Sequence, residues 1–232
     1  FVPLIVKIAE KMVTSRGEAD EETKLEYIGT GILATPELSI VEAKKEIAKF
    51  GKITKRMFGF TAEILELKEG KQFNEQLRRI AKYEDITDKM EIEIAEYLSK
   101  VSQGELSEHL ALRVRGMLSI VNDLERVGDI CYQISKSIER KREQNAEFNE
   151  AQRANMLKMF AIVQEALDVM VENLSGDYDQ VNIRTADLLE VEINNMRDTL
   201  RTAHLQSIAN GDYSFESGMY YNDLFSSCEK LG

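Results

Sequence analysis

The sequence predicts an all-α fold in which two tandem three-helix bundles form one six-helix domain behind an N-terminal connector. Proline, which breaks helix interiors, occurs only twice in the 232 residues, as Pro3 and Pro36. From residue 39 onward, apolar residues recur at steps of three, four and seven, which is the spacing of one helix face. No segment shows sustained two-residue alternation flanked by hairpin turns, so strands are not expected.

Composition and charge narrow the classes of function. Hydrophobic residues make up 43% of the chain and charged residues 31%, which excludes a disordered chain and a multi-span membrane protein. The formal net charge of −11 argues against nucleic acid as a partner, because phosphate-backbone binding needs local positive charge. The two cysteines, Cys131 and Cys228, indicate free thiols in a reducing compartment.

Residues 1–38 are predicted to form an N-terminal helix stub and a connector. Residues 1–13 (FVPLIVKIAEKMV) are apolar, but the charges within them make this stretch too short and too polar to cross a bilayer. It is either a short amphipathic helix on a soluble protein or the stub after a membrane segment. Because the sequence does not begin with Met, we expect a fragment of a longer protein. Residues 25–38 contain two glycines and a proline and are predicted to be extended.

Residues 39–141 are predicted to form the first three-helix unit. Its first helix begins at Ser39, which forms a capping box with Glu42, and is interrupted at Gly70. The other two helices are predicted at about 71–102, before Gly104, and at about 108–141, after the cap Ser107.

Residues 146–232 are predicted to form the second unit, after a polar joint at 142–148 (REQNAEF). Its helices are predicted at about 148–174, at about 180–209 before Gly211, and from Ser214 onward. Among the residues predicted to face the core are Leu112 in the third helix and Leu205 in the fifth.

Two pairs of matching segments indicate that one three-helix unit was duplicated. KVSQGELS (100–107) resembles SIANGDYS (207–214), and ERVG (125–128) resembles EKLG (229–232). A gap of three residues aligns both pairs. Chance similarity between acidic amphipathic helices is the alternative.

Acidic residues four apart suggest a cation site. Glu84 and Asp88 share one helix face, and so do Glu125 and Asp129. Like charges at this spacing destabilise an isolated helix, and two such pairs facing each other would need a cation or bound protons. In a chain this acidic, however, such pairs are also expected on solvated helix surfaces.

A repeated glycine makes the helix that carries Glu125 a stronger candidate for a site. In both halves a glycine follows a glutamate by three residues, at Gly128 and at Gly232. Glycine inside a helix costs about 0.5–1 kcal/mol relative to alanine. The pattern therefore indicates that either a neighbouring helix or a ligand approaches closely, and spacing leaves both open.

At these residues the chain resembles a known family. NDLERVGD (122–129) resembles the signature helix of PhoU proteins, and SSCEKLG (226–232) resembles its second-repeat counterpart. Residues 25–50 and 188–214 resemble bacterial Na⁺/phosphate cotransporters that carry a C-terminal PhoU-like domain. The resemblance implies two three-helix bundles packed side by side, with E(D)xxxD motifs that hold metal clusters in some members.

Carried over by position, the metal-ligand candidates of the first repeat are Glu84, Asp88, Glu125 and Asp129. Those of the second repeat are Glu190 and Glu229, and there Asn194 stands where an acid is expected. Carboxylate ligands favour Mg, Ca, Mn or iron, hence a divalent or ferric ion. His109 and His204 have no partner at ligand spacing and are predicted at the surface or at helix ends.

The resemblance implies a regulatory or interaction module rather than an enzyme. It would be the cytoplasmic domain of a sodium-dependent phosphate transporter, at the cytoplasmic face of the bacterial inner membrane. Its partners would be the transporter membrane domain in the same chain and a second copy of itself. Its link to phosphate would be indirect, since the sequence shows no basic cluster. The alternatives are a stand-alone PhoU-type regulator, a carboxylate-metal enzyme or store, and a structural bundle without ligand.

Overall fold

A computed structural model describes residues 25–29, 35–68, 70–177 and 180–232. In these ranges the chain is all-helical, with six α-helices and no strand, so the predicted fold class is confirmed. In chain order, α1 to α6 are Pro36–Ile64, Lys71–Val101, Glu108–Glu143, Glu150–Ser175, Ile183–Asn210 and Phe215–Leu231. The predictions for residues 1–13 lie outside the described residues. None of the described helices combines the length and the apolar character that a membrane span requires.

Helix α1 begins earlier than predicted. The Thr35 hydroxyl accepts a hydrogen bond from the Leu38 N–H at 3.4 Å, and Pro36 occupies the first helical position. Proline is favoured there because its missing N–H would have no partner within the helix. The prediction that Ser39 caps the helix is therefore wrong, and Ser39 is buried inside α1. The connector predicted to be extended through residue 38 gives way to helix at Pro36.

The caps predicted for the third and sixth helices are confirmed. Ser107 accepts a hydrogen bond from the Leu110 N–H at 3.4 Å, and Ser214 accepts one from the Ser217 N–H at 3.1 Å. Gly211 ends α5 in the left-handed conformation, with φ of 74°, which costs glycine little. The two halves therefore share the serine that starts their third helix, as the matching segments predict.

The helices pack as two bundles joined through their inner helices. Within each half all three helices contact one another, α1 with α2 and α3, and α4 with α5 and α6. The halves meet where α1 packs on α4 and α3 packs on α6. Each of these contacts joins equivalent helices of the predicted duplication. Among the described residues, α2 and α5 make no contact of similar extent with the other half, so they lie at the outer edges.

One apolar core runs through both bundles. At the junction, the rings of Phe58 in α1 and Phe160 in α4 meet edge to face, with centroids 5.7 Å apart. Cys131 and Cys228 are free and buried, and burial raises the pKa of the Cys131 thiol to about 12. Both thiols are therefore held in their protonated, unreactive form.

Two predicted core positions are wrong. Leu112 is 65% exposed and Leu205 is 63% exposed. In α3 the buried face includes Leu110, and a residue two positions on points about 200° away around the helix. In α5 the inward position belongs to His204, which packs against an aromatic cluster of Tyr213, Tyr221 and Phe225. His204 is thus half-buried rather than a surface residue, whereas His109 is exposed as predicted.

Candidate metal centre

The site begins with a close contact between α2 and α3 at Gly128. A Cβ atom at this position would lie 2.8 Å from Thr87 Oγ1 and 3.2 Å from Thr87 Cβ. Thr87 is fully buried, and its hydroxyl donates to the Glu84 carbonyl at 2.8 Å. Gly128 therefore makes room for the neighbouring helix α2. Of the two alternatives that spacing left open, a neighbouring helix or a ligand, the structure shows the helix.

This contact brings three carboxylates together. Glu84 and Asp88 in α2 and Asp129 in α3 each offer one oxygen, and these oxygens all lie within 4.8 Å of one another. Two ligands bound at about 2.0–2.6 Å to the same hard cation can be no more than about 5 Å apart. All three side chains are partly buried. The donor set therefore fits a divalent or ferric ion.

Electrostatics at this cluster favour added positive charge. The pKa of Glu84 is raised, first by partial burial and then by the charge of Asp88. The pKa of Asp88 is raised by partial burial and then by Asp129. The same order of causes, burial and then Asp129, raises the pKa of Glu125. The carboxyl groups of Glu84, Asp88 and Glu125 are thus harder to ionise than in water, and a bound cation would relieve the repulsion.

Glu125 lies beside the cluster rather than within the group of three oxygens. It is one helical turn before Asp129 and senses its charge. Sequence reasoning missed two neighbours, since Asp85 acts on Glu84 and Glu91 acts on Glu125. Glu91 follows Asp88 by three positions on the same helix face, which is a signal that could have identified it.

The second half repeats the glycine contact. A Cβ at Gly232 would lie 2.7 Å from Ile193 Cδ1. Ile193 follows Glu190 by three positions, just as Thr87 follows Glu84. In both halves a glycine lies against the second helix, Gly128 within α3 and Gly232 directly after α6, an observation that supports the duplication.

The acidic residues of the second half have different surroundings. Glu190 is exposed on α5, and Glu229 Oε1 lies 3.0 Å from Arg197 Nη1. Arg197 follows Glu190 by seven positions, where the first half has Glu91 seven after Glu84. The guanidinium of Arg197 thus supplies a positive charge beside Glu229. Within the described ranges the three-carboxylate group of the first half has no counterpart here, and metal binding by Glu190 and Glu229 stays a prediction.

In metal-free protein, Asp88→Asn is expected to raise the free energy of unfolding at pH 7 by roughly 0.5 kcal/mol, the size of like-charge repulsion on helices. The pKa of Asp88 in the folded protein lies above its ordinary value of 3.8. The protonated carboxyl therefore stabilises the folded state fully below pH 3.8, and this stabilisation is lost as pH rises through the raised pKa. The advantage of the variant should therefore disappear when the carboxyl of the unsubstituted protein is protonated.

Urea denaturation in chelator, at pH 7 and near pH 4, measures this difference. Glu229→Gln is the matched control, because it removes a carboxylate that is paired with Arg197 and should not stabilise the protein. An Asp88→Asn protein no more stable than the unsubstituted protein at pH 7 would contradict the repulsion.

The fold and this geometry together define a helical-bundle domain with a carboxylate cluster between two helices of its first half. Residues 47–138 match the family model described as PhoU domain. The matched range covers most of α1, all of α2 and most of α3, including Gly128 and the three clustered carboxylates. The chain therefore contains a PhoU-like domain in its first half. No curated protein and no solved structure matches the chain.

Proposed function

We propose that this chain is a regulatory and interaction module of phosphate uptake that binds a divalent or ferric metal ion. The observation that carries the proposal is the PhoU domain match over residues 47–138, which supports a phosphate-uptake regulatory role. PhoU domains are regulatory rather than catalytic, in keeping with a module that is not an enzyme.

Glu84, Asp88 and Asp129 are the residues that would hold the metal, with Glu125 beside them. A bound ion would supply positive charge to a cluster whose carboxylates repel one another. Because two ligands belong to α2 and one to α3, the ion would also tie these helices together. Metal occupancy would then favour the closed packing at Gly128, which is a route by which an ion could bias the conformation seen by a partner.

We further propose that the module is the cytoplasmic domain of a sodium-dependent phosphate transporter at the bacterial inner membrane. Its partners would be the membrane domain in the same chain and a second copy of the protein. Support comes from the likeness of residues 25–50 and 188–214 to such cotransporters. This proposal predicts that the native reading frame encodes hydrophobic spans before residue 1. A reading frame without them would instead favour a stand-alone PhoU-type regulator.

Phosphate uptake by cells that depend on the full-length gene tests the regulatory role. Deleting residues 39–232 is expected to change sodium-dependent uptake of radiolabelled phosphate by about fivefold or more, the lower end of typical allosteric coupling. Asp88→Asn with Asp129→Asn should move uptake in the same direction, while Glu229→Gln is the matched control. Uptake must be normalised to transporter present in the membrane. Unchanged uptake in the deletion strain would overturn the regulatory proposal.

A further inference from the structure

A cavity of about 300 Å³ lies at the joint between the two halves, away from the carboxylate cluster. The α1–α2 loop, the end of α3 and the start of α4 form its walls. We call this cavity the joint pocket. Its charged lining residues are Lys68, Lys141, Arg142 and Arg153, with Glu66 and Glu147. Four basic and two acidic side chains give this cavity an excess of positive charge, in a chain whose net charge is −11.

Lys141 is the buried cation of this pocket. It is only 9% exposed, and its ammonium lies 4.4 Å from the centre of the Phe148 ring. In the part of the chain that the structure describes, no hydrogen bond or ion pair joins this ammonium, so its three N–H donors are available to a ligand or to water in the cavity. Burial lowers the pKa of Lys141, against the effect of Glu147, and the charges of Arg142 and Arg153 lower it further. Burying a charged group without such partners is costly.

Arg142 is fixed against the opposite wall. Its guanidinium donates to the carbonyls of Ile64 and Leu67 and lies 4.2 Å from the centre of the Phe73 ring. These contacts hold the α1–α2 loop against the end of α3. The guanidinium is therefore positioned before any ligand arrives, which reduces the entropy lost on binding.

Lys68 and Arg153 are exposed at the rim of the joint pocket. Neither makes an ion pair with another described residue. The four cations come from three chain segments between residues 68 and 153, and of these only Lys141 and Arg142 belong to a local basic run, RKR at 140–142. The expectation that the chain lacks a basic cluster did not consider cationic side chains that only the fold brings together.

We propose that the joint pocket binds a phosphate group, as inorganic phosphate or as part of a larger phosphorylated molecule. Arginine and lysine are the side chains that recognise such tetrahedral oxyanions, through charge-assisted hydrogen bonds. A doubly charged anion would accept hydrogen bonds from the ammonium of Lys141, which has no partner among the described residues, and would offset the excess of positive charge. The proposal does not rest on the regulatory function proposed above, so either can fail without the other.

Equilibrium dialysis of the full chain against radiolabelled inorganic phosphate tests the site. The protein is treated with chelator, and Asp129→Asn is included, so that phosphate recruited by a metal at the carboxylate cluster is excluded. Saturable binding is expected in both. Lys141→Met should weaken it by about tenfold or more, the usual loss for one charge-assisted contact. Lys158→Met, an exposed change of the same charge outside the pocket, should not.

Arg153→Gln keeps the test valid if Lys141→Met fails to fold, because Arg153 is exposed and its loss threatens no core contact. It should also weaken phosphate binding. Competition by sulfate or by AMP distinguishes a site for small oxyanions from one for a larger phosphorylated molecule, and either result supports the proposal. Absence of saturable phosphate binding, or binding unchanged by both pocket variants, would overturn it.

Discussion

Replacing Gly128 with alanine is expected to lower the free energy of unfolding by about 1–3 kcal/mol, because the helix contact leaves no space for a methyl group. The new Cβ would lie 2.8 Å from the Thr87 hydroxyl. Thr87 is fully buried and bonded to the Glu84 carbonyl, so relief requires α2 and α3 to move apart. The loss should exceed the gain of about 0.5–1 kcal/mol that alanine normally brings inside a helix.

Urea denaturation measures this effect, and the chain offers a matched control in the same helix. A Cβ at Gly116 would meet no atom within 4 Å, so Gly116→Ala should stabilise the protein by about 0.5–1 kcal/mol. Combining Gly128→Ala with Thr87→Ala should recover part of the loss, because the clashing hydroxyl is removed. If Gly128→Ala were as stable as Gly116→Ala, the close contact between α2 and α3 would be refuted.

Manganese(II) is expected to raise the melting temperature of the protein by about 5–10 °C when its concentration is a hundredfold above the dissociation constant. The stabilisation follows because the ion binds carboxylates that only the folded chain brings within 4.8 Å of one another. Asp129→Asn and Asp88→Asn should each remove most of this shift. Mg²⁺, Ca²⁺ and iron complete the series, since the oxygen donors fit any of these hard ions.

The matched controls for the metal titration are Glu190→Gln and Glu229→Gln. If the ion binds in the first half, both keep the full thermal shift. If Glu229→Gln removes the shift and Asp129→Asn does not, the metal belongs to the second half and Arg197 must release Glu229 to hold it. No thermal shift with any of these ions would contradict the metal site altogether.

Most of the fold could be predicted from the sequence because its signals are local. Ser107, Ser214 and Gly211 bound their helices through contacts within a few residues, and the structure uses each as predicted. The start of α1 was missed because a proline is equally compatible with an extended connector and with the first position of a helix. The deciding contact was the Thr35 hydroxyl on the Leu38 N–H.

The candidate site could be predicted only in part, because its parts depend on register between helices. Spacing placed Glu84 with Asp88 and Glu125 with Asp129, but it could not show that Thr87 fills the space at Gly128. Contacts between residues far apart in the chain could not be predicted from the sequence. The fully buried Glu46, for example, accepts hydrogen bonds from the N–H groups of Glu26 and Tyr27 at 2.9 and 2.6 Å.

Anomalous diffraction from crystals grown with Mn²⁺ locates the metal directly. We predict one peak between α2 and α3, within bonding distance of Glu84, Asp88 and Asp129, and its loss in the Asp129→Asn protein. Gly128 should still lie against Thr87 in both crystals. Manganese found only beside Glu190 and Glu229, or no manganese with the three first-half carboxylates turned into solvent, would contradict the central claim.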